Sequence, residues 1–219
     1  MIRDFTRSRR VVQEAAQRGV FPGAVAAAAT SRGVLWLESF GLASLPEQRK
    51  MQVDSVFDLA SLTKPVATAA ALLRLVDAGC ISLDEPVGSF LPAWRGPRRS
   101  AVSIRHLLTH TGGLPPWYPV YTRAVGKSAV LFFLSSLELA YPPGTAVHYS
   151  CLGFILLGFI VEEVTGEGLH QACRRLVFEP LGMRSTAFLP LEHLGVPPER
   201  LVLTNLMTSR KNPRRPGRA

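Results

Sequence analysis

Two short stretches of this sequence hold side chains that together can move a proton off a nucleophile. Ser61-Leu62-Thr63-Lys64 places a hydroxyl three residues before an amine, at the point where a loop enters an apolar run rich in Ala and Leu. On a helix three residues apart means one face, so the Lys64 amine can lie beside the Ser61 hydroxyl while the helix N-terminus offers backbone N–H groups to an oxyanion. A serine hydroxyl is a weak nucleophile until a neighbour takes its proton. Lysine starts at about pKa 10.4, so service as a base at neutral pH takes a drop of about 3 pH units, or about 4 kcal/mol. Burial beside an apolar helix pushes in that direction. The same four residues also fit a plainer arrangement, with Ser61 as an N-cap and Lys64 solvated.

The second stretch is His148-Tyr149-Ser150-Cys151-Leu152-Gly153, just after a Pro-Pro-Gly turn and at the head of another apolar run. A tyrosine near a cationic lysine favours its phenolate, a base able to shuttle the serine proton. Lys64 and Tyr149 would then titrate as a coupled pair. The plainer alternative makes Tyr149 a core or interface aromatic.

Elements must bring these stretches together. Arg7 to Gln17 reads as an amphipathic helix ending before Gly19 and Pro22. Gly23 to Thr30 and Val34 to Gly41, joined by Ser31-Arg32-Gly33, read as a β-hairpin. Both hairpin faces carry apolar residues at one end, Val34 and Trp36 on one and Leu35 and Leu37 on the other, so cover is expected on both. Leu62 to Ala78 reads as a helix with Pro65 in its first turn and Gly79 as its C-cap. Only Thr68 and Arg74 are polar between Pro65 and Val76, which predicts a buried helix. Further helices are expected at Ser103 to Thr109, Ser128 to Leu139, Leu152 to Val164 and Leu169 to Phe178. A two-stranded hairpin followed by helices is an α+β order, and two strands alone are marginal in water.

Composition narrows the classes. The 219 residues are 47% hydrophobic and 19% charged, enough apolar material for a core. The longest apolar runs, Val130 to Leu134 and Phe154 to Ile160, fall well short of the roughly 18 residues that span a bilayer. Arg7, Arg9 and Arg10 are followed by Gln13, Glu14, Gln17 and Arg18, so no signal-peptide core forms and a cytoplasmic location is expected. The net charge of +9 is concentrated at the ends. Residues 209–219 hold five basic residues and no acid. They read as a solvated, disordered tail rather than a nucleic-acid face, which would carry its Lys and Arg on folded elements. The organisation expected is one domain over residues 1–208 and the tail over 209–219. Cys80, Cys151 and Cys173 lie at wide spacings with no C-x-x-C, which argues for reduced thiols and against a zinc site.

Five stretches occur together in order: Phe57-Asp58-Leu59-Ala60-Ser61-Leu62-Thr63-Lys64, then His106-Leu107-Leu108-Thr109-His110-Thr111-Gly112-Gly113-Leu114-Pro115, then Tyr141-Pro142-Pro143-Gly144, then Tyr149 to Gly158, then Glu179-Pro180-Leu181-Gly182-Met183. In that order and spacing the sequence resembles the serine β-lactamase-related family, which includes class C β-lactamases, D-alanyl-D-alanine carboxypeptidases and esterases. The resemblance runs from about Phe21 to about Thr204. It implies a β-lactamase/transpeptidase-like fold, an antiparallel sheet packed by helices. It also implies Ser61 as the acylated nucleophile, Lys64 as its proton partner and Tyr149 as general base. The substrate would be a small molecule or peptide bearing an amide, lactam or ester, hydrolysed through an acyl-enzyme with no metal or cofactor.

Two departures qualify the resemblance. Where the family usually has Asn or Asp, this chain has Cys151, which keeps little of an amide's hydrogen-bonding capacity. A third motif, Lys-Thr-Gly or His-x-Gly on a strand far beyond the tyrosine element, has no counterpart. His110-Thr111-Gly112 precedes Tyr149, and His193-Leu194-Gly195 follows it too closely, in a Pro-flanked setting. The expectation is therefore a partial domain lacking its C-terminal strands. Its catalysis would be weakened by about 2.7 to 4 kcal/mol for one lost oxyanion donor. Its exposed sheet edge would suit a complementary chain or self-association.

Overall fold

The computed structural model describes residues 4–188 and 196–202. The basic tail 209–219 and His193-Leu194-Gly195 lie outside them. The chain divides into two compact units, Met1–Leu59 with Pro190–Ala219, and Ala60–Leu189.

In the first unit, Asp4 accepts the Thr6 N–H at 2.8 Å and starts helix α1, Thr6–Gln17. Strands β1, Gly23–Thr30, and β2, Gly33–Ser44, pair antiparallel from Gly23↔Gly41 to Thr30↔Gly33, with a bulge at Ala28/Ala29. The hairpin is where the turn residues put it, but the sheet is not two-stranded. β2 continues to Ser44 and a short β3, Arg49–Lys50, pairs back onto it, giving the order β1-β2-β3. Gln48 makes that return by adopting φ +51, a backbone state seldom used by residues other than glycine, and at two residues β3 is too short for an alternating pattern to reveal it.

Cover also differs from expectation. Phe5 stacks on Trp36 at 5.6 Å and Arg9 pairs with Glu38, so α1 shields one hairpin face. Leu35 and Leu37 on the other stay exposed. Residues 196–202 return to this unit: Val56 and Leu201 form a parallel bridge, Arg49 donates to the carbonyls of Glu199 and Leu201, and Arg200 donates to the Asp54 carbonyl.

The second unit holds one continuous core, with Trp94, Leu72, Ile104, Leu134, Leu156 and Ile160 fully buried. Each such side chain contributes about 1.5–3 kcal/mol of transfer free energy. The single helix expected from Leu62 to Ala78 is three pieces. A 3-10 turn spans Ala60–Leu62, a π-helical segment spans Lys64–Ala69, and helix α2 spans Ala70–Asp77 with Gly79 at φ +70 just beyond its cap. Nor is it buried all round: Ala67, Ala71, Leu72 and Leu75 face the core, whereas Leu73 is 51% exposed beside the Arg74–Asp77 ion pair. Apolar composition hid a one-sided helix.

Helix α3, Val87–Phe90, precedes α4, Ile104–Leu108, where Ser103 accepts the His106 N–H and His106 Nδ1 accepts the Ser103 N–H. Helix α5 spans Lys127–Ser136, α6 Cys151–Thr165 and α7 Leu169–Cys173, the last continuing as a π-helical segment to Phe178. Glu162 of α6 pairs with Lys127 at 3.0 Å and accepts the Leu169 N–H, tying the three helices together. No helix among the described residues is long and apolar enough to cross a membrane.

Candidate active site

Ser61 sits in the 3-10 turn, the tighter helix in which residues i and i+3 eclipse. Lys64 opens the π-helical segment three residues on, and its ammonium donates to Ser61 Oγ at 3.3 Å. The preceding residue, Ala60, has φ +44. A left-handed non-glycine residue costs about 1–3 kcal/mol and marks a sharp reversal of the chain, and here it sets the exposed hydroxyl at the head of the π-helical segment.

Tyr149 comes from the stretch before α6, which is moored to the loop after α4. Ser150 donates its N–H to His110 Nδ1 at 3.1 Å and its hydroxyl to the Pro115 carbonyl at 2.7 Å. Cys151 donates its N–H to the Pro116 carbonyl, and His148 donates its N–H to the His110 carbonyl. Gly113 lets these loops close: at φ +81, a Cβ there would lie 2.5 Å from the Tyr141 carbonyl oxygen. Moored in this way, Tyr149 presents its ring to Lys64, whose Nζ lies 5.1 Å from the ring centroid.

The electrostatics follow from that contact. Hydrogen bonding with Lys64 and then Ser61, helped by the Lys64 charge, holds the Tyr149 phenol below its ordinary pKa of 10.0 against the opposing effects of burial and Cys151. Burial pulls the Lys64 amine down, yet hydrogen bonding to Tyr149 and the negative charges of Cys151 and Tyr149 together outweigh it. The net shift is upward from 10.5. This corrects the expectation that burial lowers Lys64 toward neutrality. The amine is partly open to water and faces two acidic groups, so it is held as a cation, and the tyrosine is the member of the pair pushed toward its basic form.

Ser61, Lys64 and Tyr149 thus meet in one place, with Cys151 close enough to Lys64 to hydrogen-bond it. Tyr149 is 50% exposed, which sets aside a core aromatic, and Lys64 hydrogen-bonds Ser61 while staying partly open to water. All three cysteines are free. Burial pushes the Cys173 thiol up to about 11, so it stays protonated in the core.

Sequence reasoning missed His110 and Phe154. The His110 ring lies 4.6 Å from that of Tyr149 and 5.2 Å from that of Phe154, whose other neighbour is Lys64 Nζ at 5.9 Å. His110 was legible only as part of a motif, because the partner it serves lies 40 residues away.

With this geometry in place, known proteins give the context. Residues 9–214 match the Beta-lactamase family. The sequence is 39% identical over 201 residues to "Esterase EstB" of Burkholderia gladioli, covering 83% of this chain and 49% of the esterase. It is 30% identical over 225 residues to "N-acetylmuramyl-L-alanine amidase" of Bacillus subtilis, covering 92% of this chain and 51% of the amidase. Among solved structures, "EstCE1, a hydrolase with promiscuous acyltransferase activity" superposes with a TM-score of 0.76 at 29% identity, over 90% of this chain and 55% of that one. The chain spans about half the length of these relatives and has their β-lactamase/transpeptidase-like fold. A family match over most of its residues, with relatives at 39% and 30% identity, makes the chain a member of the Beta-lactamase family.

Proposed function

We propose that this chain carries the nucleophile and base of a hydrolase that cleaves an ester, amide or lactam through an acyl-enzyme on Ser61. The observation that carries the reading is the Ser61–Lys64–Tyr149 cluster, in which the lysine contacts both the hydroxyl and the phenol ring. Tyr149, biased toward phenolate, takes the Ser61 proton as Oγ forms a bond to the substrate carbonyl carbon. The carbonyl π electrons move to oxygen, and backbone N–H groups at the head of the helix stabilise that oxyanion. Collapse expels the alcohol or amine, which receives the proton from Tyr149. Water then attacks the acyl-enzyme by the same route and frees Ser61. Lys64 stays cationic and holds the phenolate in place. Cys151 occupies the position from which an amide would grip the substrate, and its thiol offers a weaker contact.

The test is covalent labelling. A fluorophosphonate or a fluorescent penicillin labels the wild-type chain and leaves Ser61→Ala unlabelled, and equal labelling of both would refute the assignment. A second reading is favoured by Val34, Leu35 and Leu37, exposed on the hairpin. In it a complementary chain or a second copy covers this surface, and labelling requires that partner. Sedimentation of the purified chain as a monomer that labels at full stoichiometry would exclude it.

A further inference from the structure

We propose that His110, as a neutral imidazole wedged between Tyr149 and Phe154, is the positioning residue that holds the Tyr149 ring against Lys64. The proposal rests on the reading of Ser61, Lys64 and Tyr149 as the reacting cluster, and deepens it. Three independent features of the structure support it.

The first is backbone. His110 has φ +59, a conformation that disfavours any residue with a Cβ. Two donors hold it there, the Tyr141 hydroxyl at 3.3 Å and the His148 N–H at 3.0 Å, both on the His110 carbonyl. The strain aims the ring inward. The second is ring contact. The imidazole is tilted 41° to Tyr149 and 38° to Phe154, so it fills the gap between the phenol and helix α6. Tyr149 is half exposed, so core packing does not fix its ring.

The third is the proton. Nδ1 accepts the Ser150 N–H, which places the proton of the neutral ring on Nε2. An imidazolium cannot accept that bond, so protonation would release the backbone next to Tyr149. The groups around the ring are Lys64 from the π-helical segment, Tyr149 and the backbone of His148 and Ser150 from the stretch before α6, Phe154 from α6, and Tyr141. Cys151 stands beyond, against Lys64. Lys64 is the cation among these groups, and burial together with that charge lowers the His110 pKa below 6.5. The wedge is kept neutral by the same lysine that favours the phenolate.

The test reads Tyr149 rather than turnover. Asn tolerates the left-handed backbone and can still accept from Ser150, but it has no ring, so His110→Asn removes the wedge alone. The titration of Tyr149 is followed by phenolate absorbance, isolated by difference against Tyr149→Phe. In the wild type it titrates below an ordinary tyrosine, and in His110→Asn its midpoint rises toward about 10, each pH unit of rise cutting the neutral-pH phenolate fraction about tenfold. An unmoved midpoint overturns the proposal. Should the variant fail to fold, nitrogen NMR of the wild-type ring, assigned by the change that Tyr149→Phe causes, finds the proton on Nε2; a proton on Nδ1 overturns it equally. Fluorophosphonate labelling separates the two levels. A Tyr149 midpoint that moves in a chain that does not label supports the wedge while the hydrolase reading fails. A chain that labels with an unmoved midpoint refutes the wedge alone.

Discussion

Replacing Tyr149 by Phe removes one oxygen from the cluster and little else. The ring contact with His110 at 4.6 Å does not need the hydroxyl, and the side chain is half exposed. Substitutions at such positions usually change stability by no more than about 0.5 kcal/mol. The chemistry changes far more. The variant has no phenolate to take the Ser61 proton, and Lys64 loses the partner that most raises its pKa. Lys64 is left 3.3 Å from Ser61 Oγ with burial opposed only by Cys151, so its amine moves down and becomes the one remaining base. General-base catalysis is worth about 100 to 10,000-fold, which at 1.36 kcal/mol per decade is about 2.7–5.4 kcal/mol of barrier. The assay is the second-order rate of fluorophosphonate labelling, measured from pH 6 to 10 or so alongside a urea melt of each protein. Labelling slows by two to four decades while the melt midpoint barely moves. A variant that labels within threefold of wild type would show that Tyr149 is not the base, and the reading of the cluster would fail with it.

Other outcomes follow from the same contacts. The wild-type labelling rate rises with pH as Tyr149 ionises, on a limb below 10.0, and falls as Lys64 loses its proton above 10.5; a rate flat across that range would contradict the pairing. Lys64→Met removes the charge that favours the phenolate, so the Tyr149 absorbance midpoint moves upward toward its ordinary value. Cys151→Asn supplies an amide to grip an acylamino side chain, which a penicillin has and a fluorophosphonate lacks. One added hydrogen bond of about 0.5–1.5 kcal/mol raises penicillin labelling roughly two- to tenfold relative to the phosphonate. His110 is held below its unfolded pKa of about 6.5, so acid protonates the unfolded chain preferentially, and stability falls with pH below that value; His110→Asn flattens this acid-side loss in a pH series of thermal melts.

Much of this was legible in the sequence for identifiable reasons. The hairpin was bracketed by turn residues, and Ser61, Lys64 and Tyr149 lie in motifs whose local spacing survives in the fold. What escaped was whatever local pattern does not encode. A π-helical segment over Lys64–Ala69 looks like any apolar helix, because hydrophobic period does not report whether bonds run to the fourth or fifth residue. Ala60 and His110 adopt left-handed backbone states that residues with a Cβ seldom use, and the donors on the His110 carbonyl, Tyr141 and His148, lie distant in the chain. Burial does pull Lys64 down, as its place beside an apolar run suggested, but the balance of that pull against Tyr149 and Cys151, which makes the net shift upward, depends on the three-dimensional contacts.

The return of residues 196–202 to Asp54 and Val56 has a consequence for synthesis. Those contacts span about 150 residues of chain, and at a ribosomal rate of about 5–20 residues per second the hairpin unit waits on the order of 10–30 s for its closing segment. Over that interval the stretch from Ala60 to Leu189, a compact unit of its own, is synthesised. Arg49 and Asp54 therefore stand without their Glu199 and Arg200 partners until the chain between them has been made, and a segment translated early is locked by one translated much later.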